Sequence, residues 1–390
     1  MSYQERSGVS SEQSCVIIQP VTNQRGLREF IEFPFKLYRN DPNWVPPLIE
    51  ERSAFFNPKK NPFWEHARGK LFLAWRDGKV VGTIGAVVDD NHNKVHAERM
   101  GAFGFFESIN DQTVAGALID AAEAWVRGQG MTVMRGPLNF SLNQECGLLI
   151  EGFDEPPMVM MTYNPPTYAG LIEACGYHKA MDLYAYLSDM ERWRQGLLPK
   201  VVRAAQKAAQ QANIRVRKGD IRNFQSELRR VRDVYNGILA ANWGFVPMTE
   251  HEFDHLATSL KPVIDPNLVF IAETSDGTTI GVSIALPDLH QALKWSGGGH
   301  MFPFGLIKFF WHKRRIDQAR LIAMGVIEEY RGRGIDALFY AETVRSALEN
   351  GYKRIEGSWV LENNVMMNRI IERFGAARYK TYRIYEKALV

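Results

Sequence analysis

In the last third of the chain, apolar residues from Leu321 to Ile327 stop at Glu328 and Glu329, and Arg331-Gly332-Arg333-Gly334 follows. Beyond it Leu338, Ala341, Val344 and Leu348 recur at steps of three or four. That pattern predicts a strand, a tight loop and a helix with one buried face, ending near Asn350-Gly351. Arg354 to Val360 reads as the next strand. Asn363-Asn364 then opens a second helix, Val365 to Phe374, closed by Gly375.

The loop itself has a chemical meaning. Glycines 332 and 334 allow a tight turn that leaves several N–H groups pointing one way. The helix that follows begins with unpaired donors and a partial positive charge, which suits a phosphate. Arg331 and Arg333 add formal charge, so the segment reads as a diphosphate holder. Its spacing fits neither the Walker loop nor the dinucleotide-binding glycine pattern.

The same block occurs earlier in the chain. Sliding one copy along the other sets Gly104 on Gly325, Phe106 on Ile327, Glu107 on Glu328, Gly130 on Gly351 and Gly136 on Gly357 without a gap. Asn164 to Gly176 parallels Asn363 to Gly375. Upstream, Leu71–Trp75 and Val80–Ala86 match Val269–Glu273 and Ile280–Ala285, each pair joined by an Asp-Gly hairpin turn. A repeat this long predicts duplicated domains. The expected division is a disordered polar segment 1–14, a first domain 15–189 and a second domain 190–390. The copies differ at the loop, where Asn110-Asp111-Gln112-Thr113 replaces Arg331-Gly332-Arg333-Gly334, so the first copy is expected to bind no phosphate.

The second copy resembles the GNAT superfamily of acyl-CoA N-acyltransferases. Val326, Arg331 and Gly334 fall on that family's pyrophosphate loop, and Asn364 to Gly375 resembles its Asn-x-x-Ala-x-x-Leu-Tyr-Glu-Lys-x-Gly segment. Two positions depart from the pattern. Asp336 replaces a small residue, and Ile371 stands where the family has its proton-donating Tyr. An Asp in a first helical turn favours the helix dipole by about 0.3–1 kcal/mol, which accounts for it structurally. Further stretches, Phe56–Phe63, Gly104–Glu107 and Tyr163–Pro166, look like a bacterial GNAT-like group that includes the bacterial ceramide synthases.

The resemblance implies an α/β fold of two tandem GNAT-like domains, each a mixed, mainly antiparallel sheet flanked by helices. It implies acyl-CoA or acetyl-CoA as cosubstrate, with no metal, and an amine acceptor that becomes an amide. The diphosphate would lie on Arg331, Gly332, Arg333, Gly334 and Ile335, pantetheine along the edge after Val326, and Asn364 beside them. Glu356 and Glu362 are the nearest candidates for the general base. A long-chain, sphingoid-type lipid amine is one expected acceptor. Alternatives are a small-molecule or protein N-acetyltransferase, a tRNA-dependent Fem-type aminoacyl transferase, and a noncatalytic acyl-CoA scaffold.

Composition narrows this picture in a few places. Cys15, Cys146 and Cys175 are too scattered for a disulfide framework, and no apolar run is long enough to span a membrane or serve as a signal peptide. A cytoplasmic protein is expected. Twelve bases face three acids between Glu191 and Arg232, a stretch that suits a solvated helical face or a patch meeting anionic lipid, CoA phosphates or nucleic acid, the last being the least expected partner. The segment 300–315 is strongly aromatic and ends in bases, which suits peripheral contact with the inner face of a membrane or an acyl-lining role. His251-Glu252-Phe253-Asp254-His255 spells a zinc-peptidase pattern, yet Thr249-x-x-Glu252 is equally a helix capping box, and the second reading is preferred.

Overall fold

The computed structural model describes residues 15–193, 203, 206, 207, 210, 213–295, 299 and 304–389. The segment 1–14, part of the basic stretch after Trp193 and residues 300–303 lie outside that set. The first half contributes β1 (Ile17–Pro20), β2 (Ala67–Arg76), β3 (Lys79–Asp89), β4 (Met100–Ser108), β5 (Val133–Gly136), β6 (Leu148–Glu151) and β7 (His178–Asp189). The second contributes β8 (Ile214–Lys218), β9 (Val269–Thr274), β10 (Thr279–Pro287), β11 (Gln318–Val326), β12 (Arg354–Leu361) and β13 (Ala377–Ala388). Both Asp-Gly hairpins form as expected. Asp77 and Gly78 take positive φ angles of 51° and 70°, the conformation a two-residue hairpin turn needs.

All thirteen strands join in one sheet, ordered β1-β2-β3-β4-β5-β13-β7-β12-β11-β10-β9-β8, with β6 also paired to β13. Among the described residues the parallel pairs are β4 with β5 and β11 with β12; the others run antiparallel. The repeats are therefore joined through their last strands. β13 pairs with β5 of the first half, while β7 pairs with β12 of the second. At the centre β7 and β13 face each other, Leu183 opposite Tyr382.

Side chains anchor each strand in the opposite half. From β13, Lys387 Nζ reaches Glu123 Oε1 at 2.8 Å, Arg383 Nε reaches Asp182 Oδ1 at 2.8 Å, and the Tyr385 hydroxyl donates to Glu173 at 2.8 Å. From β7, the Tyr186 hydroxyl donates to Asn368 Oδ1 at 3.0 Å, and the Ser188 and Tyr340 hydroxyls meet at 3.1 Å.

The helix Gln112–Gly128 buries Val114, Leu118, Ile119 and Val126 on one face of the first half, together with Phe103 and Tyr385. The equivalent helix Ile335–Glu349 buries Ile335, Phe339, Val344 and Ala347. Each large aliphatic side chain so covered contributes on the order of 1.5–3 kcal/mol, as an upper estimate. The opposite face of the first half packs Phe63, Phe140, Met161, Leu183 and Tyr382 along the seam between halves.

A second tie across that seam runs through His66. Its Nδ1 lies 2.9 Å from Asp89 Oδ1, and its Nε2 makes an ion-pair contact of 3.2 Å with Glu252 Oε2. Burial alone would lower its pKa, but the two carboxylates outweigh burial and raise it to about 10. Because the folded pKa lies above the unfolded one, the stabilisation is complete below about pH 6.5 and is lost as pH rises through the folded value. His66→Gln is expected to cost on the order of 2 kcal/mol at pH 6 by urea unfolding, with the difference from wild type shrinking towards pH 10. A difference independent of pH would show that the imidazole is not charged between its two partners.

Candidate functional site

The two parallel strand pairs are the places where the sheet opens. β4 pairs with β5 from Met100/Val133 to Ala102/Arg135, and β11 pairs with β12 from Gln318/Arg354 to Leu321/Gly357; beyond those points the strands part. In the first half the gap is filled by the chain itself. The Leu138 N–H donates to Phe103 O at 2.7 Å, and the Phe105 N–H donates to Asn139 Oδ1 at 2.8 Å. A Cβ on Gly104 would stand 1.9 Å from Leu138 O, and one on Gly136 would stand 2.4 Å from Phe103 O. Phe140 closes the space, stacked on Phe63 and set edge-on to Phe105. At the equivalent places in the second half a Cβ on Gly325 would stand 3.2 Å from Ile238 Cβ, and one on Gly357 would meet nothing within 4 Å.

The helices that start beside these gaps differ in the same sense. Asp111 caps Gln112–Gly128, its carboxylate accepting from the Thr113 and Val114 N–H groups at 2.8 and 3.2 Å. Its other oxygen takes Arg76 at 2.7 Å, a bond that holds its pKa below the usual range. The place of an anion is thus taken by the protein's own carboxylate.

Ile335–Glu349 begins at Gly334, with φ at 80° and no side-chain cap. Gly332, at φ 75°, has nothing within 4 Å of a Cβ position. Arg331 and Arg333 are exposed beside these glycines. The Arg331 guanidinium is turned to Val326 O at 3.3 Å, and Arg333 lies over the Tyr330 ring at 4.7 Å. Asp336 sits in the first turn; burial raises its pKa and Arg331 opposes the rise. Uncapped N–H groups, two arginines and an open edge therefore meet at one point, a combination that fits a diphosphate-bearing chain.

On β12, alternation sends Ile355 to the helix Ile335–Glu349 and Glu356 to the opposite face. Glu356 is fully buried at the point where the strands part. It accepts hydrogen bonds from the Ser358 and Tyr379 hydroxyls, and Arg320 Nε lies 3.5 Å away. Arg320 also donates to Ser358 Oγ at 2.8 Å and to Val159 O at 2.9 Å. Burial and then Glu356 push the Tyr379 pKa far up, and burial raises the Asp288 carboxyl to about 7. Beside this cluster the Tyr382 hydroxyl and the Trp359 indole N–H are buried without a hydrogen-bond partner, while Arg320 lies 4.8 Å from the Trp359 ring. Buried donors left unmatched are costly, and here two of them lie together beside a carboxylate.

The remaining residues singled out in the sequence lie elsewhere. Glu362 binds Lys179 Nζ at 2.6 Å and the Asp182 N–H at 3.1 Å, tying β7 to the end of β12. Asn364 caps the helix Val365–Arg373, accepting from the Met367 N–H at 3.2 Å. Thr249 and Glu252 form the capping box, and His251 pairs with Glu65 at 3.1 Å. No group of three or more His, Cys, Asp or Glu among the described residues is arranged to hold a metal. In the basic stretch, Arg217 engages Glu227 and Glu273, and Arg230 and Arg232 also meet carboxylates. Tyr379 was not singled out in the sequence, and no local signal marks it, because it reaches Glu356 only across the intervening β7.

Comparison with known proteins agrees with this architecture. The acetyltransferase (GNAT) family matches residues 35–136. A bacterial ceramide synthase of Caulobacter vibrioides (strain NA1000 / CB15N) is 40% identical over 378 residues, covering 95% of this chain and 97% of the relative. Protein YghO of Escherichia coli (strain K12) is 37% identical over 379 residues, 96% of this chain and 95% of that one. Among solved structures, a tandem GNAT protein from the clavulanic acid biosynthesis pathway superposes with a TM-score of 0.57 at 12% identity, over 96% and 98% of the two chains. At that identity the likeness concerns the fold.

The difference between the two gaps can be measured by one substitution in each. Gly136→Ala is expected to destabilise by roughly 1–3 kcal/mol, since a backbone oxygen must move. Gly357→Ala is expected to stay within about 0.5 kcal/mol of wild type. Equal losses in chemical denaturation would mean that the second gap is as filled as the first.

Proposed function

The chain belongs to the tandem GNAT family that includes the bacterial ceramide synthase, and from that premise we propose an acyl-CoA-dependent N-acyltransferase whose donor enters between β11 and β12. The observation that carries this reading is the asymmetry of the two gaps: one plugged and capped, the other open with an uncapped glycine turn and two arginines at its mouth. Arg331, Arg333 and the N–H groups from Gly332 to Ile335 would hold the diphosphate on one face. The edge after Val326 would take the pantetheine amides, and Asn364 would keep the nearby helix in place. The thioester carbonyl would then emerge on the other face, beside Glu356.

Transfer forms a C–N bond to the amine and breaks the C–S bond. Glu356 would take the proton that the amine sheds, and the Tyr379 hydroxyl, bonded to Glu356, would return one to the departing thiolate. Tyr379 would thereby supply what Ile371 cannot. The Tyr382 and Trp359 donors would serve the carbonyl oxygen as charge develops on it. Glu356 meets no solvent, so the acceptor would reach it by a movement at this seam, where Met161 and Val159 touch Ser358 and Arg320. We favour a long-chain amine as acceptor, because the seam around Glu356 is lined by Met161, Trp359, Tyr379 and Tyr382. The aromatic helix in 300–315 would bring the protein to the surface where such amines reside.

Thermal unfolding with free CoA, acetyl-CoA and thioesters up to palmitoyl-CoA, below micelle-forming concentrations, tests the donor site. A ligand at one hundred times its Kd stabilises by about 2.7 kcal/mol. The shift is expected to grow with chain length and to vanish in Gly334→Glu. Glu356→Gln is expected to keep the shift while turnover falls by about 10²–10⁴. A preference for acetyl-CoA would favour a small-molecule acetyltransferase, and the absence of any shift would refute the donor site.

A further inference from the structure

The connection from β10 to β11 carries the helix Gly305–Lys313, which buries Gly305 and Phe309 and leaves Ile307, Phe310 and Trp311 exposed. Phe304 and Ile307 are each 69% exposed, Phe310 55% and Trp311 56%, and Trp295 on the preceding segment is 59% exposed. Trp295 stacks on His312 with ring centroids 5.8 Å apart, so the two segments form one face. No acidic residue occurs from Lys294 to Arg315, while Lys294, Lys308, Lys313, Arg314 and Arg315 all do. Among the described residues none of those five makes an ion pair. Lys313 donates to the Pro262 carbonyl at 3.0 Å, and Arg315 lies over the Trp311 ring at 4.0 Å.

We propose that this face docks on an anionic lipid bilayer, with Trp295, Phe304, Ile307, Phe310 and Trp311 entering the headgroup layer and the bases meeting lipid phosphates. Charge decides between occupants. A second copy would set Lys308, Arg314 and Arg315 against their own kind, and no acid in the segment would relieve the repulsion. An anionic bilayer matches the rim, and its interface accepts amphipathic aromatic rings and snorkelling basic side chains. No described helix is long and apolar enough to cross a membrane, so contact is confined to one leaflet.

The face is also tied to the buried cluster. Both ends of the connection are clamped: the Asp288 N–H donates to Gln318 O at 2.8 Å, and Gln291 Nε2 donates to Asp317 Oδ1 at 2.9 Å. Asp288 Oδ1 accepts from the Val159 N–H at 2.9 Å, and Val159 O accepts from Arg320, the neighbour of Glu356. Resting on the acyltransferase reading, this chain of bonds would connect the docked face to the residues beside Glu356.

The test is co-sedimentation of the full chain, without thioester, with phosphatidylcholine vesicles containing or lacking phosphatidylglycerol. Wild type should bind the anionic vesicles, and Ile307→Asp/Phe310→Asp or Arg314→Ser/Arg315→Ser should bind at least about tenfold less, as does wild type on neutral lipid. Brominated lipid should quench tryptophan fluorescence in wild type and much less in Trp295→Phe/Trp311→Phe. All variants should keep the wild-type melting temperature and the thermal shift with palmitoyl-CoA. Equal vesicle binding by wild type and Ile307→Asp/Phe310→Asp would overturn the proposal, as would a dimer in sedimentation velocity that this variant dissolves. Vesicle binding that persists where thioester binding and turnover fail would refute the acyltransferase reading and leave the docking face standing.

Discussion

Strand β13 lies between β5 and β7, so the end of the chain completes the sheet in the middle of the molecule. Neither repeat can close its own sheet, because each strand beside a gap takes its outer neighbour from the other half. A central strand left without that neighbour would expose a row of unpaired N–H and C=O groups. The exchange is held by buried pairs with little tolerance for loss, such as Lys387 on Glu123, which is 2% exposed. Much else in the architecture follows from this pairing. The seam between halves becomes a buried surface, and the polar groups within it must satisfy one another or a ligand.

The repeats then divide the work. In the first, Leu138, Asn139 and Phe140 fill the gap and Asp111 neutralises the helix start. In the second, the space beside Gly357 is free and the helix start has no side-chain cap, and the cluster of Glu356, Tyr379, Ser358 and Arg320 lies on the far face. Tyr379 reaches this cluster only because β13 runs beside β7. Under the proposed reading, the strand exchange that binds the halves together also supplies the acid of the reaction.

What could be read from the sequence was whatever is local or periodic. The fold class, the helix after Gly334, the cap at Asn364, the capping box at Thr249 and both hairpins each rest on neighbouring residues, and the structure has them all. The loss of the loop in the first repeat was also visible, although its replacement by a capping carboxylate on Asp111 needed coordinates. The sequence was silent where partners come from distant strands. Glu356 and Glu362 looked alike as acids near one motif. Only the pairing of β7 with both β12 and β13 sets Glu362 on Lys179 and Glu356 beneath Tyr379. The exchange itself leaves no trace in composition or period, since both last strands have ordinary alternation.

Under the proposed reading the repeats have become unequal, with one closed gap and one that receives the donor. Amide hydrogen exchange read by mass spectrometry, with and without a non-transferable thioether analogue of palmitoyl-CoA, tells the two gaps apart. New protection is expected across 322–338 and at 356–359, with residues 103–114 unchanged. Protection at 103–114, or equal protection at both gaps, would contradict that reading.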